Sequence, residues 1–576
     1  MTIDFLTYRR LGAPKSRLGC TTCKQVDHSV IRRVKCGEEK PTCLRCSSTG
    51  RRCEYKRDRV SSLDPSTPPT PGFHRPLSLS PNAGARERRA FEYYFQHAAR
   101  HLAGGLKVDF WTKVIPQICR SEPAVWDGMI AISALFEHPN QCLDFTLLRN
   151  RRKASHGLNQ IQQEALTWYS RSISTVHSQI SRGSVDQYTA LISCVLFICV
   201  ETIQGRMEEA LQLFGQGVTL IGDLRTQRNH GKAPLSKEAL LEHTIIPLFL
   251  RLGTMSLTIS GTQPSEIFSL MDNNIGLGFS SVEHARSTMV VLAAEVMIFE
   301  REAVMHLRAV GANSVDTASM IARKQALQTR LLEWNEIYTD FCRNHCGPTT
   351  AVEPDPLLPI YCAAASITLT GCLTSLETVF DAHLVDFAAI VEQATLILNV
   401  SRRPDGSQPP FTFESGVGVP LFLTALKCRH SSLRRRALQL LRQAPPLQGF
   451  FKCAPSTLMA ASFMTMEESY TPVFKSVNAT VAERIENGNP GGLPGSLPMV
   501  NVADPQDIQV PEEARIHYYC IFRPKEWCPP GVALGEVAKF GCGPDQLFLR
   551  FSRNHFDTNS KTWREIFECI PLGGSL

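Results

Sequence analysis

Apolar positions three and four apart recur along most of this 576-residue chain, the spacing that gives an α-helix one buried face. The pattern starts abruptly at Arg86-Glu87-Arg88-Arg89-Ala90-Phe91-Glu92-Tyr93-Tyr94-Phe95. It predicts further helices over about 108–119, 122–137, 159–181, 185–204, 207–225, 236–259, 282–308, 316–343, 358–378, 383–401 and 420–442. Strand-like signals are scarce until the tail, where "RIHYYCIF" and "QLFLRFSRNHFDTNSKTWREIF" predict a small β hairpin. The expected fold class is therefore mainly α. The longest apolar runs, near 190–200 and 289–299, fall short of the roughly 20 residues that span a bilayer. The first ten residues lack the apolar run of a signal peptide, so no membrane association is expected.

Two stretches punctuate this pattern. Residues 61–84, "SSLDPSTPPTPGFHRPLSLSPNAG", are rich in Ser and Pro and carry too little apolar surface to fold, as a disordered linker does. A Gly/Pro-rich break, "NGNPGGLPGSLP", covers Asn487–Pro498. The chain is thus expected to comprise a basic N-terminal arm (1–19), a cysteine-rich module (20–53), a linker (54–86), a large helical domain (87–486) and a C-terminal extension (487–576).

Charge is unevenly placed. Residues 1–60 hold fifteen Lys and Arg against six Asp and Glu, a formal +9, whereas the whole chain is +7. The remainder is therefore close to neutral, and the N-terminal segment is the part suited to a polyanion. Its six cysteines, Cys20, Cys23, Cys36, Cys43, Cys46 and Cys53, read C-x2-C-x12-C-x6-C-x2-C-x6-C. A two-residue gap lets both sulfurs reach one zinc ion at about 2.3 Å, and a later cysteine helps close the tetrahedral shell. Two separate zincs would need eight thiolates; six suffice only if two sulfurs bridge a pair of metals. That economy, inside a basic segment, points to a DNA-binding module holding two zinc ions. The other fourteen cysteines are scattered, often within apolar runs, which suits buried thiols in a reducing compartment better than a disulfide framework.

The residues around the cysteines, "CTTCK…IRRVKCGEEKPTCLRCSSTGRRCEY", resemble the fungal binuclear zinc-cluster transcription factors. The shared features are the basic stretch Ile31-Arg32-Arg33-Val34-Lys35, the loop proline Pro41 and the closing Gly50-Arg51-Arg52-Cys53. The resemblance implies that all six cysteines are ligands and that Cys20 and Cys43 are the bridging pair. It also implies that Arg32 and Arg33 reach base edges at a CGG triplet, where arginine matches guanine O6 and N7. Lys24, Lys35, Arg45, Arg51 and Arg52 are the candidate phosphate contacts, and salt-sensitive binding would follow. Two helical stretches, about 87–137 and "YTALISCVLFICVETIQGRMEEALQLFGQGVTLI", resemble the fungal-specific transcription factor domain. The resemblance therefore implies a nuclear regulator of transcription with double-stranded DNA as partner, and a helical domain contacting the transcriptional machinery.

One departure from the family spacing matters. Twelve residues separate Cys23 from Cys36, and removing Gln25–Val30 leaves CTTCKIRRVKC, with the family's six. The insert is either genuine or the product of a misplaced splice boundary, and the clean fit of its flanks favours the second. Closing a longer loop costs little, about 0.6 kcal/mol per doubling, but the aim of Arg32 and Arg33 is sensitive to it. The alternative reading is a zinc-stabilised nuclear interaction protein that has lost base-specific binding because of residues 25–30. A third makes the helical region a small-molecule sensor.

Enzymatic motifs are missing: there is no G-x-S-x-G, G-x-x-x-x-G-K or H-E-x-x-H, and the fragments at Gly276-Leu-Gly278 and Gly416-Val-Gly418 are incomplete. A non-enzyme is expected. Cys342, His345 and Cys346 lie close in sequence, but core thiols explain them better than a second metal. Arg434-Arg435-Arg436, with Lys427, Arg429 and Arg442, and the "RNRRK" run at 149–153 read as solvated helix faces, with DNA contact or nuclear import as the sharper alternative. No heptads follow the cluster, so monomer and homodimer both stay open.

Overall fold

In the computed structural model the described residues are Cys36, Glu39, 42–50, Arg52 and Cys53 in the N-terminal segment, together with most of 84–487 and 510–572. The chain divides into two units, Met1–Ser78 and Leu79–Leu576. Among its described residues the first holds one short helix, α1 (Leu44–Ser47).

The second unit is mainly helical. Helix α2 (Ala85–Tyr93) runs through a π-helical turn at Tyr94–Ala98 into Ala99–Leu102. It packs with α3 (Pro123–Glu137), α4 (Gln160–Ser181), α5 (Gln187–Ile203), α6 (Met207–Arg228) and α7 (Ile246–Ser256) around one apolar core. Pro123 sits at the first position of α3, where its missing N–H is no loss. Helix α4 starts with a reciprocal cap: Gln162 donates its backbone N–H to Asn159 Oδ1 at 2.8 Å, and Asn159 donates its own to Gln162 Oε1 at 3.1 Å. The apolar run near 190–200 is the middle of α5 and is almost wholly buried in this core.

Helices α8 (Val282–Val310), α9 (Val315–His345) and α10 (Leu357–Gly371) enclose a second core around Phe299 and Trp334. A third core joins α10 to α11 (Leu384–Val400), α12 (Gly418–Lys427), α13 (Ser431–Gln443) and the start of α14 (Cys453–Asn487). A two-residue-per-strand hairpin, β1 (Leu447–Gln448) and β2 (Phe451–Lys452), turns at Gly449, whose φ of +51° favours glycine. The stretch Glu377–Val400 has the length and apolarity of a membrane span, yet Phe387, Ile390, Val391, Ala394 and Leu398 on its inner face belong to the third core.

Three helices depart from the periodicity. The helix expected over 358–378 stops at Gly371, where a Cβ would come within 2.4 Å of the Phe380 ring. The one expected over 420–442 is broken at Cys428–His430, where Arg429 turns inward. Helix α14 was not expected at all, because Pro472 lies inside it and proline reads as a helix stop.

The tail hairpin is part of a three-stranded antiparallel sheet: β3 (Ile516–Phe522), β4 (Phe548–Asp557) and β5 (Thr562–Pro571), in that order. Ile516, Leu549 and Phe551 bury themselves with Phe463 of α14, so the sheet and the helical body share a core.

Candidate metal centre and nucleic-acid interface

Helix α1 follows the second C-x2-C pair. Cys43 precedes the helix, and its carbonyl accepts the N–H groups of Cys46 and Ser47, each at 3.0 Å. That turn puts two cysteines three residues apart on one side. Gly50, with φ +63°, then reverses the chain in a conformation that costs other residues more, and Cys53 returns to the same place. The sulfurs of Cys43, Cys46 and Cys53 all lie within 4.8 Å of one another. Cys36 is buried against Cys43 and Cys46. The backbone N–H of Cys43 donates to Cys53 Sγ at 3.4 Å.

This arrangement fits zinc. Four thiolates around one zinc at about 2.3 Å stand about 3.8 Å apart, a spacing that the three converging sulfurs, all within 4.8 Å of one another, can meet. Cys36, Cys43, Cys46 and Cys53 form no disulfide. Among the described residues, these three form the one group of metal-ligating side chains gathered this closely. Cys20 and Cys23 lie outside the described residues.

The basic residues divide similarly. Arg45 is exposed on α1, and its carbonyl accepts the hydroxyl of Thr49 at 2.7 Å; Arg52 is exposed beside Cys53. Lys24, Arg32, Arg33, Lys35 and Arg51 lie outside the described residues, as do the insert 25–30 and the run 149–153. Sequence reasoning missed Glu39, whose carboxylate accepts the N–H of Leu44 at 3.1 Å and so satisfies one open donor at the start of α1. An acid five residues before a helix carries no standard capping signal.

The basic cluster around Arg434 is only in part the solvated face that the sequence suggests. Arg434 and Arg429 are buried and share Glu467, at 2.6 and 2.7 Å, and Arg429 also meets Glu377 at 2.9 Å. Lys427 pairs with Glu377 at 2.6 Å, and Arg435 pairs with Glu468 at 2.8 Å. Arg436 and Arg442 are on the outer side of α13, partly or fully exposed. The buried acids supply the reason: they lie far off in sequence, where periodicity cannot reveal them.

Gly416 and Gly418 are packing positions. A Cβ on either would come within about 3 Å of Gln448 or Cys453 side-chain atoms, and Gly418 donates its N–H to Gln448 Oε1 at 3.0 Å. His345 stacks on Phe341 with ring centroids 4.9 Å apart, and Cys346 lies outside the described residues. Several helical-unit cysteines are core thiols: burial pushes Cys119 up to about 11 and Cys194 and Cys362 up to about 12.

Comparison with known proteins finds likenesses to fungal transcription regulators. It is 25% identical over 447 residues to the aspercryptin biosynthesis cluster-specific transcription regulator atnN of Emericella nidulans, covering 70% of this chain and 66% of that protein. It is 32% identical over 134 residues to the Zn(2)-C6 fungal-type transcription factor afumD of Aspergillus fumigatus, covering 22% of this chain and 34% of that protein. Transcription regulator lscL of Purpureocillium lilacinum is 23% identical over 237 residues, covering 38% of this chain and 55% of its own. The matches thus span just under two thirds, or less, of these relatives' own lengths. No family model and no solved structure matches the chain. Its curated relatives are fungal transcription regulators, one of them named as of the Zn(2)-C6 type, and none of the three is named as an enzyme.

Proposed function

We propose that this chain is a nuclear, sequence-specific DNA-binding regulator of transcription by RNA polymerase II. The observation that carries the reading is the convergence of Cys43, Cys46 and Cys53 beside the buried Cys36, within the most basic segment of the chain. Cys20, Cys23, Cys36, Cys43, Cys46 and Cys53 would hold two zinc ions, with Cys20 and Cys43 serving both. Zinc there supplies folding energy rather than reactivity, since a shell filled with thiolates leaves no position for substrate. Arg32 and Arg33 read guanine edges of a CGG half-site, while Lys24, Lys35, Arg45, Arg51 and Arg52 meet phosphates. The helical unit contacts the transcriptional machinery. Likeness to a cluster-specific regulator supports a metabolic gene cluster as the target.

The test is fluorescence anisotropy with the zinc-loaded full-length protein on a CGG-bearing duplex and its scrambled counterpart, at physiological salt. Preference for CGG of at least about ten-fold is expected, the worth of about 1.4 kcal/mol. Equal binding to both would sink this reading and leave the zinc-stabilised interaction protein, for which the twelve-residue spacing between Cys23 and Cys36 is the favouring observation.

A further inference from the structure

A half-open cleft of about 260 Å³ lies against the first helix of the large unit. Tyr93, His97 and His101 line one wall; Arg403, Pro404 and Asp405 line the other. The first three are four residues apart. On an ordinary α-helix each such step drifts about 40° around the axis, because 3.6 residues complete a turn. The π turn at Tyr94–Ala98 takes more residues per turn and counters that drift, which keeps the three rings on one side. Single π turns inside helices are frequent at functional sites.

The opposite wall is equally well built. Arg403 donates its backbone N–H to the Ser407 carbonyl at 2.8 Å, and Gly406 donates to the Arg403 carbonyl at 2.9 Å. Gly406 has φ +82°. Asp405 accepts the N–H and the hydroxyl of Ser407 at 2.9 and 2.6 Å, so its carboxylate is already engaged. The Arg403 guanidinium lies 5.4 Å from the Phe136 ring centre, and the His101 ring stacks on the same Phe136 at 6.2 Å.

The Arg403 guanidinium borders the cleft, and among the described residues Arg403 forms no ion pair, although its Nη2 is wholly enclosed and faces away from any ligand there. A guanidinium is the group best shaped to take a planar carboxylate. Burial, helped by Arg403, Arg100 and His97, lowers His101 to about 4, so its ring is neutral at physiological pH. Glu137, the other acid near Tyr93, is taken by Arg89 at 2.6 Å. The remaining walls are ring faces, with Tyr93 and His97 4.9 Å apart.

The geometry points to a binding site for a small aromatic monocarboxylate, its carboxylate on Arg403 and its ring against Tyr93 and His97. A single guanidinium with Asp405 close by favours one negative charge over two, and the volume lies just below that of sites for drug-sized ligands, about 300–1,000 Å³. The site belongs to the helical unit and does not depend on the DNA-binding reading. It gives that unit a chemical class of effector.

The test is isothermal titration calorimetry on the zinc-loaded full-length protein, with benzoate and 4-hydroxycinnamate as probes and benzamide and benzylamine as controls. At least one carboxylate should bind with a Kd below about 1 mM, and neither control should. Arg403→Gln should weaken it at least about ten-fold. His97→Ala, at an exposed position that leaves the core intact, should weaken it by a smaller factor and serves if the arginine variant does not fold. Failure of both carboxylates to bind, benzamide binding as well as benzoate, or unchanged affinity in whichever variant folds would overturn the proposal.

Discussion

Glu467 is the hub of the large unit's buried charge, and neutralising it should loosen the tail sheet. Its carboxylate is fully enclosed and receives Arg429 at 2.7 Å, Arg434 at 2.6 Å and the backbone N–H of Ile516, the first residue of β3, at 2.8 Å. Burial alone would raise its pKa, but the two guanidiniums outweigh burial and hold it well below the usual carboxylate range. Glu467→Gln keeps the shape and removes the charge, so two buried guanidiniums are left with Glu377, which only Arg429 of the two touches. Breaking a buried pair in this way costs about 3–5 kcal/mol. Because Glu467 bonds directly to β3, the loss falls on the docking of the sheet onto α14. Local opening should rise about 10²–10⁴-fold, read by hydrogen exchange of peptides covering Ile516–Phe522. Glu468→Gln is the control: its partner Arg435 is partly exposed, and such pairs contribute about 0–1 kcal/mol. The pH dependence has a definite sign. A depressed folded-state pKa stabilises fully above the unfolded value of about 4.3 and loses that contribution as pH falls through the folded value. Protection of β3 should therefore fall with acid below about pH 4 in the wild type through this group, and Glu467→Gln should lack that component. Exchange in Glu467→Gln no faster than in Glu468→Gln would refute the reasoning.

Metal analysis of the full-length protein should give two zinc ions per chain, with Cys43→Ala more damaging to retention than Cys36→Ala, since a bridging thiolate serves both metals; one zinc per chain, or equal effects, would count against bridging. Deleting residues 25–30 should raise preference for CGG duplexes at least about ten-fold while leaving non-specific affinity and its salt slope nearly unchanged. Equal preference with and without the six residues would show that the insert loops out harmlessly.

Helices were legible wherever one element had one buried face. Helices α3 to α6 start and stop within a few residues of the apolar periodicity, because caps such as Asn159 and Asp186 and turns such as Gly205, with φ +74°, are local. The errors arise where distant residues decide. Phe380 limits α10 across a gap of nine residues, and α14 runs on through Pro472 although proline removes a helical hydrogen bond. Strands β4 and β5 were legible as a hairpin, since Asp557 and Thr562 close their ladder. Strand β3 was marked as well, by "RIHYYCIF", but its pairing with β4 about 25 residues on, with an irregular register between Ile516 and Tyr519, makes three strands where a hairpin was expected.

The same distinction separates the two basic clusters. In the N-terminal segment the chemistry is encoded at short range: a two-residue gap, one helical turn and a left-handed glycine bring Cys43, Cys46 and Cys53 together. In the helical unit the run Arg434-Arg435-Arg436 looks like a polyanion-binding surface in one dimension, yet its first member is neutralised by an acid 33 residues away and its neighbour Arg429 by acids 38 and 52 away. A basic run therefore argues for a nucleic-acid surface only when no acid can fold back onto it. Residues 1–60 pass that test by composition, with too few acids to pair their Lys and Arg, and the large unit does not. Positive charge is in this way concentrated in the sequence segment that holds the six cysteines, so phosphate attraction and metal-dependent folding are expected of the same short segment. Stripping the metal should consequently abolish specific DNA binding while leaving the helical unit's fold, and its β3 protection, intact.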